Sequence, residues 1–176
     1  MSFRSDFHFK KWLIATAAIM IFITAAAVSL NLLSAEYLVL YNYETNARYV
    51  TVKADDGMMF SVEFIHSVNQ TPLKDTYIID DGQIRAHSTT YRSFGAGVQT
   101  ALNEGEKMTY DDEGNMVITG IDKTFDPLIY IVGTVSDHIL ELNGKEISLR
   151  NLCGRNARVV FDVAPLYEIL TKGMFD

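Results

Sequence analysis

The sequence is poor in cysteine, with Cys153 as the single example in 176 residues. No internal disulfide can form, and a lone cysteine in an exported domain is usually buried and unreactive; an intermolecular bridge is the alternative. Basic charge is also scarce, because 15 Lys and Arg stand against 22 Asp and Glu. This balance argues against the basic stripe of a nucleic-acid-binding surface, so we predict no nucleic-acid partner.

Signatures of catalysis and cofactor binding are missing as well. The chain has no Gly-x-Ser-x-Gly elbow, no phosphate-loop lysine and no dinucleotide-binding fingerprint. His66, His87 and His138 lack the short spacings typical of metal sites, and the acidic run at 111–115 lacks the alternating carboxylates of a calcium loop. We therefore predict a protein that is not an enzyme and that holds no cofactor and no metal.

A long apolar run is the strongest feature that is present. Residues Trp12–Leu33 carry no charged side chain over 22 positions. At about 1.5 Å per residue, a helix of this length crosses the roughly 30 Å hydrocarbon core of a bilayer. We predict a transmembrane helix over 12–33. A signal peptide cleaved after Ala27 is the alternative, and both interpretations export the rest of the chain.

The charges beside this run predict its orientation. Arg4, Lys10 and Lys11 precede it with only Asp6 to oppose them, and Glu36 follows it. Because positive flanks stay on the cytoplasmic side, we expect residues 1–11 to be cytoplasmic in a single-pass protein of the cytoplasmic membrane. Residues 34–47 then form a linker and first strand, and residues 48–176 form an extracellular or periplasmic β domain.

The rest of the chain has the pattern of short strands separated by turns. Met58–Ser67 alternates apolar and polar residues, and Asn143-Gly144 is a strong hairpin signal. Asp55-Asp56-Gly57 is interpreted in the same way, as a tight hairpin between the strands on either side. The pattern predicts a mainly β fold, an antiparallel β-sandwich or partly open barrel, with a short helix over 165–171. The predicted strands cover 37–41, 48–54, 58–67, 76–79, 83–91, 116–121, 139–142, 145–149 and 158–163.

Two motifs could carry function. His66 lies on the apolar face of its predicted strand, either as a core or rim histidine or, with Ser67 and Asp75, at the mouth of a pocket for an anionic ligand or partner. The loop Gly95-Ala96-Gly97 could present backbone amides to an anion, or simply bend where a bulky side chain does not fit.

These motifs resemble the bacterial family of unknown function DUF1850. Its members carry His-Ser-Val, then a Pro-aromatic-acidic-aromatic stretch, then Gly-Ala-Gly, and this chain has HSV at 66–68, PLKDTY at 72–77 and GAG at 95–97. Leu73 replaces the usual aromatic residue. The resemblance covers about residues 50–150. It implies a small exported or membrane-tethered companion of TRAP-type uptake systems of the TAXI class, which import organic acids.

We therefore expect a membrane-anchored accessory or interaction module outside the cytoplasm, with a transporter membrane subunit or solute receptor as partner. The alternative is a domain that binds a small anionic ligand such as an organic acid. The candidate contact residues for either partner or ligand are His66, Ser67, Asp75, Tyr77, Gly95, Ala96 and Gly97.

Overall fold

The structure is a computed structural model that describes residues 3–66, 70–92 and 101–171. It begins with a long helix, α1 (Phe3–Ser34). The segment Lys11–Ser34 is long and apolar enough to cross a membrane, and it is not buried against the rest of the chain. The Thr16 and Thr24 hydroxyls donate 3.0 Å hydrogen bonds to the carbonyls of Trp12 and Met20, so neither brings an unpaired donor into an apolar environment. The helix meets the requirements of a membrane span, which a signal sequence also meets.

Within the described ranges, the chain continues as twelve strands and two short helices. The strands are β1 (Glu36–Asn42), β2 (Arg48–Lys53), β3 (Met59–Ile65), β4 (Pro72–Asp80), β5 (Gln83–Tyr91), β6 (Lys107–Tyr110), β7 (Met116–Thr119), β8 (Thr124–Phe125), β9 (Leu128–Ile131), β10 (His138–Leu142), β11 (Lys145–Ser148) and β12 (Arg158–Pro165). The helices are α2 (Leu149–Cys153) and α3 (Leu166–Thr171).

The strands form two antiparallel sheets. The smaller sheet has the order β2-β1-β12-β9, and the larger has the order β11-β10-β3-β4-β5-β7-β6, with β8 paired to β5. Both sheets contribute to one core, in which Phe60 of the larger sheet stacks on Phe161 of the smaller at 5.3 Å between ring centroids. The predicted antiparallel β-sandwich is confirmed, and β1 lies inside the smaller sheet rather than outside the domain.

The turns explain most of the strand boundaries. Asp81-Gly82 and Asn143-Gly144 both have positive φ at both residues, which is the conformation of a two-residue hairpin turn. The hairpin predicted at Asp55-Asp56-Gly57 is wrong. Its flanking strands, β2 and β3, belong to different sheets, so this turn carries the chain across the sandwich. Gly57 supplies the positive φ in either case, and the local sequence does not distinguish the two uses.

The sandwich has two ends, and α1 enters at one of them, the helix end. Only Ala35 separates α1 from β1, and the Ala54 N–H donates to the Glu36 carbonyl at 2.9 Å. The β4–β5 turn lies at the same end, since a Cβ on Gly82 would lie 2.5 Å from a Glu36 carboxylate oxygen. At the distal end, β3 finishes at Ile65 and β4 begins at Pro72. The nine residues of β4 join the two ends, a distance of about 26 Å at 3.3 Å per residue.

Cys153 lies at the end of α2 and is half-buried against the core. Burial raises the pKa of its thiol to about 11. Because the thiolate is the reactive form, this cysteine is unreactive near neutral pH.

Candidate functional site

A cleft opens at the distal end of the sandwich, between the end of β3 and the loop that joins β9 to β10. We call it the distal cleft, and its volume is about 590 Å³. Its walls combine apolar side chains with hydroxyl, amide and imidazole groups. The lining residues are Phe64, Ile65, His66, Gln70, Gly133, Thr134, Val135, Ser136 and His138.

One side of the distal cleft is formed where β3 ends. The His66 N–H donates to the Thr71 carbonyl and the Gln70 N–H donates to the His66 carbonyl, each at 2.9 Å. Gln70 has a φ of 53°, which allows the chain to reverse direction toward β4. His66, predicted to lie within the strand over 58–67, is the first residue after it and is half-buried at the rim of the cleft.

The other side is the loop from Gly133 to Asp137, which is held by one carboxylate. Asp137 accepts hydrogen bonds from the backbone N–H groups of His138 (2.7 Å) and Arg150 (3.0 Å) and from the Ser148 hydroxyl. Ser148 in turn caps the N-terminus of α2. Partial burial alone would raise the pKa of Asp137, but these hydrogen bonds outweigh it and lower the pKa.

Close packing also fixes the shape of this loop. A Cβ at Gly133 would overlap the carbonyl oxygen of Ser136, which is backbone and cannot move aside cheaply. The Ser136 hydroxyl lies 3.2 Å from both the carbonyl oxygen and the amide nitrogen of Ile65, so it ties the loop to β3. The two walls of the distal cleft are thus joined by direct hydrogen bonds.

His138 is the most deeply buried polar side chain of the cleft, at 8% exposure. Its Nδ1 accepts the Gly133 N–H at 3.1 Å, and its ring stacks on Phe64 at 4.7 Å between centroids. Burial lowers the pKa of His138, so the ring is neutral near neutral pH. With Nδ1 accepting, the proton of the neutral ring is on Nε2, which makes His138 a hydrogen-bond donor without positive charge.

Asp75 and Tyr77, predicted as contact residues, lie elsewhere. Both point from the inner face of β4 into the sandwich, and neither lines the distal cleft. Asp75 accepts hydrogen bonds from the hydroxyls of Thr89 (2.8 Å) and Tyr130 (3.2 Å), and the Tyr77 and Tyr130 hydroxyls bond each other. We call these four residues the interior polar cluster.

The pKa values of the three titratable groups in the interior polar cluster, Asp75, Tyr77 and Tyr130, are all raised. Burial raises the pKa of Asp75, although the hydrogen bonds from Thr89 and Tyr130 and the charge of Lys123 oppose the rise. Burial and the nearby Asp75 carboxyl also raise the pKa values of Tyr77 and Tyr130. Both phenols are therefore neutral and act as hydrogen-bond donors in the core.

Tyr130 connects the two groups of residues. Its hydroxyl belongs to the interior polar cluster, and its ring meets the ring of His138 edge-on at 5.8 Å between centroids. Tyr130 thus contacts both the predicted residue Asp75 and the cleft residue His138. The sequence analysis missed Tyr130, Gly133 and Asp137, and it noted His138 only as a scattered histidine. The one local signal for this side of the cleft is the sequence Ser-Asp-His, which lies directly before a predicted strand.

The remaining predicted site residues, Ser67, Gly95, Ala96 and Gly97, lie outside the described residues. In the parts of the chain that are described, no three His, Cys, Asp or Glu side chains converge as metal ligands would. The acidic run at 111–115 closes on itself, because Asp111 accepts hydrogen bonds from the backbone N–H groups of Glu113 (3.0 Å) and Asn115 (2.8 Å). A hydrogen bond from the Asn115 side chain, followed by these backbone hydrogen bonds, lowers the pKa of Asp111.

Comparison with known proteins gives one match. Residues 60–149, just over half of the chain, match the family described as a domain of unknown function, DUF1850. Neither a curated protein nor a solved structure matches the chain. The matched range contains every residue of the distal cleft and of the interior polar cluster, and it leaves out α1, β1, β2 and β12. The protein therefore belongs to the DUF1850 family.

Proposed function

We propose that the protein is a membrane-anchored accessory module on the outer side of the cytoplasmic membrane, which presents its distal cleft to a soluble component of an organic-acid uptake system. Three parts of this proposal rest on different grounds. The orientation comes from the flanking charges, the uptake system from the family resemblance, and the manner of presentation from the geometry of the sandwich.

The observation that carries the proposal is the opposition of the two ends. α1 joins the helix end through one residue, and the Leu166 N–H donates to the Ala35 carbonyl at 2.9 Å, so the junction is tied to the fold by a second segment. The distal cleft lies about 26 Å away, along the length of β4. An anchored α1 therefore holds the cleft well clear of the bilayer surface.

This distance favours one class of partner for the cleft. A cleft at the end of the sandwich opposite α1, up to about 26 Å from the lipid, reaches a soluble solute receptor more readily than a subunit buried in the bilayer. A membrane subunit would instead contact α1, where Ala17, Ala25–Ala27 and Ser29 are small enough for close helix packing. Anchoring confines both contacts to one plane and raises their effective concentration.

Site-specific photocrosslinking of the full-length protein in its native membrane tests this proposal. The crosslinking residue replaces Val135, which lines the distal cleft and is 91% exposed, and the control replaces Tyr110 on β6. We expect a solute receptor of an organic-acid uptake system to be captured from position 135 and not from position 110. Failure to capture any component of such a system from position 135 would contradict the proposal.

A second candidate function is binding of a small organic acid in the distal cleft. It is favoured by the neutral His138, whose Nε2–H can donate to a carboxylate beside apolar walls. Isothermal titration of the full-length protein in detergent with dicarboxylates should give saturable heat, which His66→Ala at the rim abolishes. His87→Ala is the matched control, since His87 is exposed and does not line the cleft. Absence of saturable heat in the wild type excludes this function for the acids tested.

A further inference from the structure

The short helix α3 buries one apolar side chain in the fold and exposes two other large ones. Ile169 is fully buried, where it packs on Val39 and Ala164 of the smaller sheet. Tyr167 and Leu170 lie three positions apart, on one side of the helix, and are 48% and 49% exposed. A pair of large side chains exposed side by side is available for contact with a partner or with lipid.

The position of α3 identifies that environment. The Leu166 N–H is bonded to the Ala35 carbonyl, and α3 packs against α1 as well as against β12. The charge-free run of α1 ends at Leu33, two residues before Ala35. A six-residue helix is about 9 Å long, and the headgroup layer outside the hydrocarbon core is about 5–7 Å thick. A helix of this length that starts at the boundary and packs against α1 therefore lies in or at that layer.

We propose that α3 is a second membrane contact, in which Tyr167 and Leu170 insert into the headgroup region of the lipid beside α1. Tyrosine is well suited to this depth, since its ring is apolar and its hydroxyl is polar. The contact would restrict the tilt of the sandwich on the membrane, because a single spanning helix does not fix that tilt by itself. Charged side chains also line a pocket beside the end of α1, namely Lys53, Asp55, Asp56 and Asp81, and these stay in water. This inference rests on the proposed anchoring by α1.

Depth-dependent quenching of tryptophan fluorescence tests the contact. Trp12 is the only tryptophan in the chain, so Trp12→Phe provides an empty background for Tyr167→Trp, Leu170→Trp and the control Tyr110→Trp. Each full-length variant is reconstituted in bilayers of phosphatidylcholine, with or without bromine on the upper acyl chain. Circular dichroism confirms that each variant is folded.

We expect brominated lipid to reduce the emission from positions 167 and 170 about as much as that of Trp12 in the wild type, and to leave position 110 unchanged. Quenching of Trp12 without quenching at 167 and 170 overturns the contact while the anchor stands. If Trp12 itself is not quenched, the anchor fails, and the proposed function fails with it. Quenching at position 110 equal to that at 167 and 170 also overturns the proposal, because the whole domain would then lie on the lipid.

Discussion

The helix end and the distal end of the sandwich differ in the groups that pack together there. At the helix end, tight turns and flexible charged side chains meet, as where Gly82 faces the Glu36 carboxylate. At the distal end, backbone packs on backbone: Gly133 lies against the Ser136 carbonyl, and one aspartate holds three donors. From this difference we infer that the distal end is more rigid than the helix end, where a side chain rather than backbone meets the turn.

The largest effect should come from Gly133→Ala. The added Cβ overlaps the Ser136 carbonyl oxygen, and either the loop or β9 must move to relieve it. We expect the free energy of unfolding to fall by about 3 kcal/mol, which is typical of overpacking. Urea denaturation of the full-length protein in detergent micelles measures it. A loss below about 0.5 kcal/mol would show that the distal loop adjusts as readily as the helix end does.

Asp137→Ala should have the next largest effect. The substitution removes one acceptor from the His138 and Arg150 backbone N–H groups and from Ser148, which caps α2. We expect a loss of about 2 kcal/mol, in the range for a charged acceptor that also supports a helix cap. Asp122→Ala is the control, since its side chain is 93% exposed and should change stability by less than about 0.5 kcal/mol. Equal losses in the two variants would remove Asp137 from its assigned role.

A pair of glycine substitutions tests the contact between Glu36, which follows α1, and the β4–β5 turn of the larger sheet. Gly82 and Gly144 occupy the same position in two hairpin turns, with φ of 67° and 69°, but a Cβ at Gly144 meets nothing within 4 Å. Alanine at either position should cost about 1 kcal/mol because of the positive φ. Gly82→Ala must also displace the Glu36 carboxylate, and we expect that to add less than about 1 kcal/mol. Identical losses would mean that Glu36 does not pack on the turn.

The smallest effect is a difference in pH dependence between Asp75 and Asp137. The pKa of Asp75 is raised by folding, so its contribution is most favourable below its unfolded pKa near 3.8 and is lost as the pH rises through the folded value. The pKa of Asp137 is lowered, so its contribution is present above 3.8 and is lost as the pH falls.

Asp75→Asn should remove the first dependence alone. Relative to the wild type, the variant should gain stability as the pH rises above 4, while the acid-side loss due to Asp137 persists in both proteins. Denaturation midpoints measured from pH 3 to pH 8 test this expectation. A constant difference between the two proteins across that range would contradict the raised pKa of Asp75.

Most of the fold could be predicted from the sequence because its signals are local. The charge-free run gives α1, alternation gives β3, and Asn143-Gly144 gives its hairpin. The strands β6, β8 and β9 were missed because they have two to four residues, too few for alternation to be read. The strands β7 and β11 also have four residues each, and they were predicted because turn residues precede them. The Asp55-Asp56-Gly57 turn was misread because the choice between pairing with the next strand and crossing to the other sheet depends on distant partners.

The candidate site was predictable only in part, for a related reason. His66 stands beside a recognisable motif and does line the distal cleft. His138, Ser136 and Gly133 reach the same cleft from about 70 residues away in sequence, through the pairing of β10 with β3. In the sequence, Asp75 is a polar residue near a predicted turn. That its carboxyl is buried becomes clear only from the structure, where Tyr130 of the other sheet donates a hydrogen bond to it. Contacts between the two sheets produce no periodic pattern in a single sequence, so they could not be predicted.

The central claim is that α1 anchors the sandwich in the lipid by the end that is opposite its distal cleft. Fluorescence energy transfer from a single dye to acceptor lipids tests it most directly. In a Cys153→Ser background, which removes the native thiol, the dye is attached at Val135→Cys in the distal cleft or at Asp81→Cys at the helix end. The claim predicts that the dye at 135 lies farther from the bilayer surface than the dye at 81, by up to about 26 Å. Equal distances for the two positions would contradict it.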